Sequence, residues 1–208
     1  MASRNGYKWG VFINAPFDRR YMKIFDAIVF TIVDCGFTAR CALEVDDGSQ
    51  VRLEKIFNII GECKLAVHDL SRTQLDPLNR LPRFNMPLEL GIFLGAKHFG
   101  NGRHKQKNCV ILDSERYRYQ KFISDIAGQD PKGHANDPVK AIKVVRDWLM
   151  NQSSNRQKIP AATIIRDRFD QFHKDKPKLC KTKHWDKNNL TFKEKVDLMY
   201  TWIRATPL

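Results

Sequence analysis

Long apolar runs are missing from this chain of 208 residues. No stretch approaches the roughly 20 consecutive apolar residues that a membrane-spanning helix needs. The opening residues, Met1 to Lys8, lack the hydrophobic centre of a signal peptide. Both absences predict a cytoplasmic protein with no membrane partner. Cysteine is sparse: five residues, an odd number, at 35, 41, 63, 109 and 180, without a Cys-x-x-Cys pair. Free thiols inside a reducing compartment are therefore expected rather than a disulfide framework. Only Cys180 and His184 stand at a ligand-like spacing, and two ligands do not make a zinc site, so no metal is expected. The chain also lacks a Gly-x-Gly-x-x-Gly fingerprint, a Walker loop and a Ser/His/Asp triad, which argues against dehydrogenase, kinase and serine-hydrolase chemistry.

Acidic residues are in short supply as well, 23 against 36 Lys and Arg, for a net charge of +13. The imbalance grows along the chain. Residues 1–113 hold 16 basic and 12 acidic side chains, whereas residues 114–208 hold 20 and 11. A basic second half can meet nucleic acid or an anionic nucleotide, yet a solvated lysine-rich surface explains the same counts and is preferred here. With 42% apolar and 28% charged residues, the composition is that of a folded globular chain rather than a disordered one.

The apolar residues fall into alternating short runs and helical stripes. Tyr7–Asn14 reads as a first strand, bounded by Ala15-Pro16. Tyr21, Ile24, Phe25, Ile28, Ile32 and Val33 then recur at helical spacing, from about Asp18 to Asp34. A second strand is expected over Phe37–Ala42. A helix opened by Gly48-Ser49 follows, with Leu53, Ile56, Phe57 and Ile60 as its buried stripe. Lys64–His68 is a third strand, brief and apolar at its centre as central parallel strands are. Residues 69–84 are polar and irregular. The next helix opens at Asn85, read as its N-cap, with Pro87 in the first turn and Leu88 and Ile92 on its buried side. Asn108–Asp113 supplies a fourth strand.

Strand–helix alternation of this kind predicts an α/β fold, a flavodoxin-like parallel sheet flanked by helices, over residues 1–113. Beyond Asp113 strand signals stop. Helices are expected over 117–127, 138–150 and 160–173, then a lysine-rich loop over 175–189. A last helix is opened by the capping box Thr191-Phe192-Lys193-Glu194. Residues 114–208 thus form a C-terminal helical extension, packed on the same domain or at a subunit interface.

Ligands of open parallel sheets bind beyond the carboxyl ends of the strands. Those ends deliver Asn14, Pro16, Phe17 and Asp18 from the first strand, Arg40 to Glu44 from the second, and Asp69 and Ser71 from the third. The helix opening brings Asn85, Met86 and Glu89 to the same rim. Glu89 is the odd residue, a carboxylate one turn into a helix that is otherwise almost wholly apolar. Burying an ionised carboxylate costs several kcal/mol unless it is paired, so such a residue needs a reason. Favourable placement near a helix N-terminus is the bland one. Chemistry in a cleft is the sharp one.

Val11-Phe12-Ile13-Asn14-Ala15-Pro16-Phe17, Leu65-Ala66-Val67-His68-Asp69 and Asn85-Met86-Pro87-Leu88-Glu89-Leu90-Gly91 occur in an order and spacing that resembles the bacterial nucleoside 2-deoxyribosyltransferase-like and TIR-like (Toll/interleukin-1 receptor-like) proteins. The resemblance covers about residues 7–113. It implies that Glu89 is the catalytic carboxylate, stabilising or attacking the anomeric carbon as an N-glycosidic bond breaks. By the same resemblance Asp69 helps place the glutamate or the base, and the Asn14–Phe17 loop lines the nucleoside pocket. Where the transferases carry a tyrosine that polarises the glutamate, this chain has Phe12, which shifts the implied activity from transfer to NAD⁺ cleavage.

The expected function is thus an N-glycosidic bond-cleaving enzyme, a TIR-like NADase, with anti-phage defence as its implied role. Catalysis is expected from Glu89 and Asp69. Substrate contacts are expected from Phe12, Asn14, Pro16, Phe17, Arg40, Ser71, Asn85 and Met86. No cofactor is needed, NAD being the substrate, and a homo-oligomer is implied. Nucleoside deoxyribosyltransfer or hydrolysis is the first alternative. A nucleotide-binding sensor without turnover is the second.

Overall fold

The computed structural model describes residues 6–73, 83–153 and 159–208. The irregular stretch expected at 69–84, and the connection between the helices expected at 138–150 and 160–173, therefore lie partly outside the described residues. Five parallel strands form one sheet: β1 (Gly10–Asn14), β2 (Thr38–Arg40), β3 (Leu65–Asp69), β4 (Asn108–Asp113) and β5 (Lys132–Gly133). Their order, β2-β1-β3-β4-β5, is the flavodoxin-like winding, whose direction reverses between β1 and β3. The helices are α1 (Met22–Asp34), α2 (Arg52–Glu62), α3 (Asn85–Phe99), α4 (Pro138–Gln152), α5 (Ala162–Thr182) and α6 (Phe192–Ala205).

Alternation along the strands sorts their side chains onto two faces. Val11, Ile13, Leu65, Val67, Val110 and Leu112 join one large core with α1, α4, α5 and α6. Phe12 and Ala66 point the other way, to Ile56, Ile59 and Ile60 of α2 and Phe93 of α3. The helical second half is fastened to α1 by more than grease. Phe30 sits against the rings of Phe169, Phe172 and Trp202, at 5.5, 5.5 and 6.0 Å between centroids. Arg168 grips the buried Asp34 at 2.9 Å, and Lys195 reaches Asp26 at 3.0 Å.

Several local expectations are corrected. The second strand shrinks to three residues, and the residue flanking α3 is Phe84, not Asn85, which already lies in the first turn. Leu88 of α3 and Leu53 and Phe57 of α2 are exposed, the inward positions being Met86, Glu89, Leu90 and Phe93, and Ile56, Ile59 and Ile60. On α3, apolar nearly all round, an apolar residue carries no information about which side faces in, while Leu53 and Phe57 lie at the margin of the α2 stripe. Residues 117–127 form two short 3-10 turns, Arg118–Lys121 and Ser124–Ile126, rather than a helix. A fifth strand follows, only two residues long and too short to leave a period-2 signal. The lysine-rich stretch read as a loop continues α5 to Thr182, straight through Pro177. Cys180 keeps the apolar stripe of Phe169 and Phe172 going, and that burial outweighs the proline. The capping box at Thr191 and Glu194 is present in both directions.

One buried cation ties the far edge together. Lys107 is almost wholly enclosed, and its Nζ donates to the carbonyls of Ile60 and Cys63 at the end of α2. The ammonium also lies over the rings of Phe93, at 4.8 Å, and Tyr7, at 5.3 Å. Burial pushes its pKa down to about 8. Lys107→Met keeps the volume and strands two carbonyls. It is expected to cost about 2–3 kcal/mol, read as a lower urea midpoint at an unchanged slope.

Candidate active site

At the carboxyl edge of the sheet, the period-2 alternation sends neighbouring residues to opposite faces and builds two polar clusters. Asn14 and His68, side by side on β1 and β3, project toward α3. The Asn14 Nδ2 amide donates to the carbonyl of Met86 at 2.8 Å and lies 2.9 Å from His68 Nδ1. Burial drives the His68 pKa down to about 3, so the ring is neutral and its Nδ1 accepts. The edges and faces of Phe12 and Phe93 pack on that ring at 5.9 and 5.2 Å. Phe12 is thus a wholly buried wall behind the histidine. Asn14 pins the first turn of α3 to the sheet.

Glu89 stands one turn further along α3. Its side chain is only 7% exposed, and among the described residues no hydrogen bond or ion pair reaches its carboxyl. Burial pushes its pKa up to about 7, with the Arg52 charge opposing. Here the structure corrects an expectation. Placement near a helix N-terminus, the bland reason for Glu89, favours the ionised form, but desolvation outweighs the dipole, whose effect fades beyond the first turn. At neutral pH the group exchanges freely between acid and carboxylate, the property of a proton-transfer catalyst or of a charge held ready.

Asp69 faces the opposite way, toward α1 and α4, and is fully buried. Its carboxylate accepts from the Tyr21 hydroxyl and, at 2.8 Å, from the backbone N–H of Ser71. Nε2 of His134 lies 3.0 Å away, off the ideal hydrogen-bond line. His134 Nδ1 accepts from the N–H of Asn136 at 3.0 Å, which leaves the ring proton on Nε2, toward Asp69. Burial alone would raise the Asp69 pKa. The close approach of His134, with the bonds from Ser71 and Tyr21, outweighs it and holds the carboxyl below the usual range. On β4, Asp113 binds Arg118 at 2.7 Å, and Arg118 also donates to the carbonyl of Leu70 at 2.7 Å. A lattice of charges therefore clamps the loop after β3.

The other expected site residues scatter around these two clusters. Pro16 is buried, and Phe17 packs edge-on against Phe25 at 5.3 Å, at the margin of the core. Ser71 is buried, while Asn85 is exposed beside the inward-turned Met86. Arg40 is committed to Glu44, at 2.6 Å, and Glu62, at 2.9 Å, and lines a depression of about 370 Å³ with Gly6, Tyr7 and Gly10. Tyr21 and His134 escaped the sequence reading. Tyr21 looked like the first rung of an apolar stripe, and His134 follows a strand too short to recognise. A hydroxyl and an imidazole at the exits of β1 and β5 would have been the signal. Neither α2 nor α3 has a side-chain N-cap among the described residues, so backbone N–H groups at both helix starts are left for water or an anion.

Among the described residues no group of three or more His, Cys, Asp and Glu could hold a metal ion, and no helix is long and apolar enough to cross a membrane. Comparison with protein-family models, with curated proteins and with solved structures found no match.

Proposed function

We propose that this protein cleaves N-glycosidic bonds, with NAD⁺ as substrate and Glu89 as the catalytic carboxylate. The observation that carries the proposal is Glu89 itself: a buried carboxyl, without a partner among the described residues, at the strand-end rim beside the reversal of strand order. Ionised Glu89 would stand against the positive charge that develops on the anomeric carbon. The C1′–N bond then breaks with its electron pair passing to the ring nitrogen, and nicotinamide leaves neutral without needing a proton. Water adds its oxygen to C1′, and the proton it loses is taken by the Glu89 carboxylate. Uncapped N–H groups at the starts of α2 and α3 suit the pyrophosphate. Asp69, fully buried and saturated with donors, serves as a positioning residue. A role in anti-phage defence rests on the family resemblance alone.

Cleavage of NAD⁺ needs the carboxylate form, because its leaving group departs neutral. Nicotinamide release measured from pH 5 to 9 is therefore expected to climb about tenfold per unit below about 7 and level off above it. Nucleosides, whose bases leave more easily when protonated, would show the opposite limb and favour the transferase-like or nucleoside-hydrolase reading. Saturable nucleotide binding without product would favour a sensor. Absence of both cleavage and binding would overturn the proposal.

A further inference from the structure

Helix α3 is apolar on the side that faces away from its own core. Phe84 beside its start, then Leu88, Gly91, Gly95 and Phe99, recur at spacings of three and four along one line, with Ile92 half-buried at its edge against the α2 side of the core. The large side chains on that line stand in water: Phe84 is 58% exposed, Leu88 56% and Phe99 82%. No charged residue interrupts it, in a chain whose net charge is +13. Full burial of a phenylalanine removes about 200 Å², so the two phenylalanines alone leave roughly 300 Å² of apolar surface uncovered.

The two glycines have no local purpose. Each sits inside the helix, without positive φ, and a Cβ built on either meets nothing within 4 Å. Glycine in a helix interior costs about 1 kcal/mol relative to alanine. A cost that the folded chain does not recover internally points to close approach by something outside it.

We infer that α3 packs antiparallel on α3 of a second copy of this chain, across the Gly91–Gly95 stripe. The order of residues on the line is its own complement. A two-fold axis between Gly91 and Ile92 sets Phe84 opposite the partner's Phe99 and Leu88 opposite the partner's Gly95. Knob meets hole, and ring meets ring, twice over. This isologous arrangement is the commonest form of closed assembly. The stripe spans about 22 Å and by itself makes a small interface, of the class that is weak and concentration-dependent. Because each copy is strongly basic and the stripe is neutral, added salt screens mutual repulsion and tightens the pair.

Sedimentation velocity from low micromolar to several hundred micromolar tests this on the full chain. Wild type should pass from one chain to two as concentration rises, with an apparent affinity that increases with salt. Leu88→Glu combined with Phe99→Glu, both at exposed positions, should remain a single chain throughout. Gly91→Ala combined with Gly95→Ala should weaken pairing at least tenfold while raising the melting temperature of the dilute protein. The glycine pair also keeps the test decisive if the charged pair fails to fold. A wild type that stays a single chain at every concentration would overturn the inference. So would an assembly that survives both pairs of substitutions, or pairing that weakens with salt.

Discussion

Glu89→Gln is expected to stabilise the protein while stopping its chemistry. The carboxyl titrates at about 7 in the folded chain against an ordinary value of 4.5. Between those values the folded state holds a proton that the unfolded state has released. Stability therefore falls as pH rises from 4.5 to 7, and the loss is complete above 7. At about 1.4 kcal/mol per unit, and with a residual contact to solvent, the cost of ionised Glu89 at pH 8 is about 2–3 kcal/mol. Glutamine has the shape of the neutral acid and never ionises, so it removes that cost. Urea unfolding should show the variant more stable than wild type at pH 8 and equal to it at pH 4.5. Nicotinamide release should fall roughly 10²–10³-fold, the usual effect of deleting one charge-stabilising group. A variant that is both less stable at pH 8 and fully active would make Glu89 a structural residue. Together the two readouts separate a charge kept for function from one kept for packing, because only the former is bought with stability.

Phe30→Ala is expected to cost about 3–5 kcal/mol, a large part of the stability of a single domain. Its ring lies at the junction of α1 with Phe169 and Phe172 of α5 and Trp202 of α6, fully enclosed. The surrounding rings are held on two different helices, so the void cannot collapse cheaply. A chain cut after Asp113 loses the same partners along the whole of α1, together with Arg168 opposite Asp34 and Lys195 opposite Asp26. Such a fragment should give the circular dichroism of an unfolded chain. A folded fragment would show that residues 7–113 close a core without the helices.

Helix α1, strands β1, β3 and β4 and the capping box of α6 were legible because each is announced by many side chains repeating one period or by a reciprocal pair. The parallel sheet flanked by helices followed from alternation of strand and helix, whereas the order of the strands came from the structure. What failed had too few residues, or too uniform a polarity, to carry a period. Strand β5 has two residues, and α3 is apolar on every side, so Leu88 was placed inward and proved exposed. The lysines of α5 masked the burial of Cys180 and made a helix look like a loop.

The candidate site divides in the same way. Sequence by itself determined that Asn14, Asp69 and Glu89 arrive at one sheet edge, since strand ends and helix starts must meet there. Only the tertiary structure decided that Asn14 bonds the first turn of the helix bearing Glu89, and that Asp69 turns to the other face to meet Tyr21 and His134. It also decided the charge of Glu89. The residue's place in the helix is a local property, written in the chain. Its ionisation depends on how much water the neighbouring elements exclude, and that is set only when they pack.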